Sequence, residues 1–81
     1  MKINVLIAED SYFQRKIISD MISSHQDIEV IAIARDGREA IEMVEQYDTD
    51  VMLLAILMTK MDGITAFKHI MEDHIIPTII F

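Results

Sequence analysis

Four short apolar runs alternating with three segments of helical spacing predict an α/β fold, an open parallel sheet in the order β-α-β-α-β-α-β. Three observations carry this prediction. The runs 3–8, 28–34, 51–55 and 78–81 are rich in Ile, Val and Leu and nearly free of polar residues, as strands in a sheet covered on both faces tend to be. Each intervening segment places apolar residues three and four apart, the spacing of one helix face. Strands that alternate with helices join through right-handed crossovers, which puts helices on the sheet's faces.

The first run, "INVLIA", reads as a strand or a piece of buried helix by itself; the acidic pair Glu9-Asp10 and the helical pattern that follow favour the strand. Ser11 stands three before Gln14, the spacing of a capping box, and opens "SYFQRKIISDMISS". Phe13, Ile17, Ile18, Met21 and Ile22 cover close to half of that helix, more than one sheet contact requires, so a second neighbour is expected. "HQD" breaks the pattern before the second strand, "IEVIAIA". Asp36 and Glu39 form another capping pair before "GREAIEMVEQY", whose stripe is Ala40, Ile41, Val44 and Tyr47. "VMLLA" follows as a strand expected to be covered on both faces. Asp62-Gly63 turns into "ITAFKHIMEDH", where Ala66 with Ile70 and Phe67 with Met71 make i,i+4 pairs. Pro77 precedes the fourth strand, "TIIF", a position that tolerates proline.

The chain's 81 residues set a limit of one domain with a small core. An apolar fraction of 52% argues against intrinsic disorder, and with no cysteine there is neither a disulfide framework nor a thiolate metal cluster. Fourteen acidic against seven basic side chains give a net charge of −7, which disfavours nucleic acid and anionic membrane as partners. Divalent cations or a basic protein surface suit that charge. The first ten residues lack a signal-peptide core and no stretch reaches membrane-spanning length, so a cytoplasmic location is expected. Two features point to an incomplete domain, or to one that borrows cover from another copy. The pattern stops at the fourth strand, and the first helix has an apolar face wider than its strands use.

In an open α/β sheet, ligands bind beyond the carboxyl ends of the strands. Glu9 and Asp10 follow the first strand and residues 55–63 follow the third. Two adjacent carboxylates there could anchor a hard cation such as Mg2+, or be solvated loop charges, with Asp10 preceding or capping the helix. Asp62 reads as a helix cap, Lys60 as an anion partner or a solvated turn lysine, and Gly37 and Gly63 as turn glycines. Tyr12, beside the acidic pair, suits either a partner contact or a half-covered surface. The methionines read as core gap-fillers, and His69 and His74 as solvent-side residues of the third helix and its end. No dinucleotide fingerprint or P-loop occurs, which leaves a flavin or nucleotide enzyme little support.

Taken together, "VLIAEDS" (5–11), "ARDGREAIE" (34–42), "DVMLLAILM" (50–58), "KMDG" (60–63) and "IPTIIF" (76–81) resemble the receiver domain of two-component response regulators, whose sheet is of flavodoxin-like type. The likeness runs along essentially the whole chain and is nearest to the receivers attached to chemotaxis methylesterases. It implies that Glu9, Asp10 and the backbone carbonyl of Leu57 hold Mg2+. It also implies that the phosphoacceptor aspartate falls at position 55, which is Ala here, and a family proline at Thr59. The family's switch Ser/Thr and its lysine would fall beyond Phe81.

Alanine offers neither nucleophile nor metal ligand. The expectation is therefore a partial receiver domain, not an enzyme in itself, that is not phosphorylated at the usual site and binds Mg2+ weakly or not at all. Its implied partners are a sensor histidine kinase or an output domain, with a homodimer or swapped assembly formed through the exposed strand and helix. The alternative is an α/β fragment whose main property is that self-assembly.

Overall fold

The computed structural model describes all 81 residues. Its elements are β1 (Ile3–Ala8), α1 (Tyr12–Ser23), β2 (Ile28–Ala34), α2 (Gly37–Gln46), β3 (Val51–Leu54), α3 (Gly63–Asp73) and β4 (Thr78–Ile80). The four strands are parallel and lie in the order β2-β1-β3-β4. The chain runs outward from β1 to β2, then crosses back over β1 to β3, so the direction of winding reverses between β1 and β3. That reversal opens a crevice at the carboxyl ends of these two strands.

Alternation divides the side chains of β1 between two layers. Leu6 and Ala8 enter the main core with Ala32 and Ala34 of β2, Met52 and Leu54 of β3, Ala40 and Val44 of α2, and Ile70 of α3. Small alanines on β2 let α2 lie close to the sheet. Val5 and Ile7 face the other way, beneath α1, and are also buried.

The two layers are unequal. No residue of α1 is buried, and Phe13 and Met21 are 70% and 63% exposed. Ile18, Met21 and Ile22 of α1 line an open, wholly apolar groove with Leu53, Ile79 and Phe81. β3 is thus fully covered on the α2/α3 face and half-covered on the other, less than its unbroken apolar run suggested. The methionines are less interior than expected: only Met52 is buried, whereas Met1 and Met21 are exposed. Tyr47 lies outside the α2 stripe, because the chain turns extended there and caps the helix.

Each helix starts on the cap its sequence announced. Ser11 Oγ accepts from the Gln14 amide (3.3 Å), Asp36 Oδ1 from Glu39 (2.9 Å) and Asp62 Oδ1 from Thr65 (2.8 Å). The reciprocal halves of the boxes differ from expectation. The Ser11 amide donates to the Glu9 carboxylate (3.1 Å), and Glu39 turns back to the Arg35 amide (2.8 Å) and guanidinium (Nε, 2.9 Å).

Candidate functional site

The crevice is framed by the exits of β1 and β3. The Ala55 amide donates to the Ala8 carbonyl (3.0 Å) and the Glu9 amide to the Ala34 carbonyl (3.1 Å). These bonds extend the ladders one residue past each strand. They bring Ala55 alongside the start of the acidic loop. Glu9 and Ala55 are both buried, while Asp10 is exposed. One Glu9 oxygen is occupied by the Ser11 amide, which fixes the carboxylate against its own loop.

The loop from β3 to α3 forms the other wall and is held at two backbone contacts. The Gly63 amide donates to the Ile56 carbonyl (2.8 Å), and a Cβ on Gly63 would stand 2.0 Å from the Ala55 carbonyl oxygen. The Gly37 amide donates to the Met61 carbonyl (3.1 Å), where a Cβ would stand 2.5 Å from that oxygen. Neither glycine has a positive φ. Their lack of a side chain serves close approach rather than the turn conformation the sequence suggested. Both of the chain's glycines therefore press on one loop. Between them Lys60 adopts φ 64°, and the Met61 amide reaches back to the Thr59 carbonyl (2.6 Å), a strained three-residue turn.

Lys60 lies with Asp36, Arg38, Glu39 and Glu42 around a polar depression at the start of α2. Glu39 is held below the usual carboxylate range, first by the hydrogen bond from the Arg35 side chain and then by the Arg35 amide. Asp62 is lowered by the Thr65 amide and hydroxyl that it caps. Leu57 lies two residues past Ala55 with its side chain exposed, and its carbonyl oxygen accepts no hydrogen bond within the chain.

These donors match a hard cation in kind, being carboxylate and carbonyl oxygens. They fall short in number. No three Asp, Glu, His or Cys side chains converge anywhere in the chain. Position 55, at the exit of β3, carries a methyl group and so offers no ligand atom. The residues present do not make a full Mg2+ site.

Arg15 was not legible as a site residue. Its Nη1 donates to the carbonyls of Glu9 (3.0 Å) and Asp10 (3.1 Å), and its guanidinium lies 5.8 Å from the centre of the Tyr12 ring. Tyr12 is otherwise exposed. The largest depression, about 680 Å3, is at the opposite end of the sheet, between the carboxyl ends of α2 and α3. His74 and Glu45 meet there (3.1 Å), so His74 has a partner across the cleft that its helix position did not announce. That cleft is open, and the acidic pair at the exits of the strands, rather than volume, places the candidate site at the other end of the sheet.

A doubly wound sheet with an acidic pair at its switch point defines a receiver-type fold. The response regulator receiver domain model matches residues 5–81, and the chain belongs to that family, the receivers of two-component signalling. The response regulator domain of Thermotoga maritima CheB superimposes with a TM-score of 0.95 at 36% identity, over 99% of this chain and 60% of that one. A protein-glutamate methylesterase/protein-glutamine glutaminase of Pyrococcus abyssi is 45% identical over 96% of this chain, and its counterpart in Oceanobacillus iheyensis 41%. The chain spans about a fifth of the length of those two relatives, 21% and 22%.

Proposed function

We propose that this chain is a receiver-type signalling module that works through protein contacts and takes no phosphoryl group at the strand-end position. The observation that carries the proposal is Ala55, buried at the exit of β3 and tied to Ala8, one residue before Glu9. Phosphoryl transfer to a receiver needs a carboxylate nucleophile in line with the donor, and a methyl group has no lone pair to attack with. In this reading residues 1–81 belong to a receiver domain, and Glu9, Asp10 and the Leu57 carbonyl are what remains of a Mg2+ shell. Affinity for the ion is correspondingly low.

A similar receiver, CheY of Borrelia burgdorferi, was solved with CheX, BeF3 and Mg2+, which favours a cation site in such a fold; it is 37% identical, with a TM-score of 0.89. The methylesterase relatives favour an output domain or a sensor kinase as partner in the cytoplasm, and no helix here is long and apolar enough to cross a membrane. The apolar groove beside β4 favours a second copy as a further partner.

The test is incubation with a small-molecule phosphodonor and Mg2+, read by intact mass. The expected spectrum shows the parent mass alone. One added phosphoryl group per chain, mapped to the crevice, would overturn the proposal.

A further inference from the structure

Arg15 stands where a cation is out of place. It lies in the first turn of α1, whose exposed amides already make the helix start positive. Side chains on a helix slope toward its N-terminus, so the guanidinium travels back over the β1–α1 loop. One nitrogen there binds two successive carbonyls, those of Glu9 and Asp10, and the face of Tyr12 flanks the group. The Arg15 amide donates to the Ser11 carbonyl (2.9 Å), the ordinary first bond of the helix, so what Arg15 adds to the loop is the side-chain grip on Glu9 and Asp10.

We infer that Arg15 is a positioning residue, an internal cation that orders the Glu9–Asp10 loop without a metal ion. This rests on the proposed reading of the acidic pair as a cation-binding remnant, and it accounts for a loop that stays formed although its donor set is incomplete. A guanidinium is permanently charged and its donors are rigidly spaced, which suits it to holding carbonyls in fixed register.

Position and charge make opposite predictions. By charge alone, removing Arg15 should tighten a cation on Glu9 and Asp10, because a like charge leaves. If Arg15 positions the loop, removal should weaken that cation, because the carboxylates lose their register.

The experiment has two arms. In the 81-residue chain, amide hydrogen exchange is followed at Ser11, whose N–H reports the Glu9 contact, with β3 amides as the control for global unfolding. Arg15→Met is expected to speed Ser11 exchange about tenfold or more relative to β3, and Arg15→Lys to recover part of the protection. Millimolar Mg2+ is expected to change neither the parent nor the lysine variant.

In the second arm, Mg2+ affinity is measured by titration of Tyr fluorescence in an Ala55→Asp background. There Arg15→Met is expected to weaken binding several-fold. Unchanged Ser11 exchange, or Mg2+ binding as tight or tighter without Arg15, would overturn the inference. If Ala55→Asp alone binds no Mg2+, the remnant-site reading fails, and Ser11 exchange still decides the role of Arg15.

Discussion

Replacing Gly63 with alanine should destabilise this protein severely, although the same change stabilises most helices. In an unobstructed helix Gly→Ala gains about 1 kcal/mol, through lower chain entropy in the unfolded state and better propensity. Here the new methyl would lie 2.0 Å from the Ala55 carbonyl oxygen, 2.8 Å from its carbon and 3.2 Å from Ile56 Cα. Reaching even 3.0 Å requires a backbone displacement of about 1 Å. Neither side can yield freely. Ala55 is bonded to Ala8 (3.0 Å), and Gly63 to Ile56 (2.8 Å), so movement breaks a ladder extension or the start of α3. Overpacking of this kind costs about 1–3 kcal/mol and sometimes more, and the loss of a backbone hydrogen bond adds to it. The expected net loss is about 2–4 kcal/mol, a large part of the roughly 4–12 kcal/mol available to a domain of this length. Urea unfolding followed by far-UV circular dichroism would show a lower midpoint with little change in slope, and the melting temperature would fall by about 10–25 °C. A midpoint equal to or above the parent's would refute the close-approach explanation and return Gly63 to the role of an ordinary turn residue.

Three further outcomes are expected. Lys60→Gly should raise the urea midpoint by up to about 1 kcal/mol of stability, since a left-handed L-residue costs about 1–2 kcal/mol and glycine gives back part of that in entropy; a lower midpoint would mean that the lysine side chain holds the turn. Glu39 and Asp62 are both held below their ordinary range when folded, so their contribution is complete above the unfolded carboxylate range and is lost as pH falls through the folded values. Glu39→Gln should therefore show a shallower loss of stability on acidification than the parent, and identical acid limbs would remove the Arg35–Glu39 pair from the explanation. Ala55→Asp should lower stability without Mg2+, by adding a third carboxylate beside Glu9 and Asp10, and should make the melting temperature rise with added Mg2+; equal midpoints with and without the ion in both forms would count against the remnant site.

The sequence made legible whatever depends on neighbours along the chain. The three caps at Ser11, Asp36 and Asp62 are contacts across three residues, and each formed at its predicted helix start. The strands stood out as short, nearly all-apolar runs, although β3 is buried on one face only. Contacts across the fold were hidden. The pairing of β1 with β2 jumps from Val5–Val30 to Leu6–Ala32, leaving Ile31 as an extra residue, and nothing local announces that slip. Gly37 and Gly63 looked like turn residues because their obstacles, Met61 and Ala55, come from other segments. Arg15 drew no attention in the sequence for the same reason, since the carbonyls it binds lie in the loop before its helix. The acidic pair and Ala55 could be named from the sequence as strand-end residues, yet their adjacency depends on β1 and β3 being neighbours in the sheet, which pattern alone does not order.

The packing of the crevice and its chemistry are separable. Its walls are set by backbone bonds from Ala55 to Ala8, Gly63 to Ile56 and Gly37 to Met61, none of which involves the side chain at position 55. No buried side-chain oxygen or nitrogen is left without a partner, so alanine there leaves no group unsatisfied. A nucleophilic carboxylate at this point would be a buried charge close to Glu9, tolerable chiefly when a cation or phosphoryl chemistry engages it. On the proposed reading, alanine removes that burden and, with it, the reason for a metal. The proposed loss of phosphoryl chemistry therefore needs only one side chain, since the backbone bonds that frame the crevice do not depend on it.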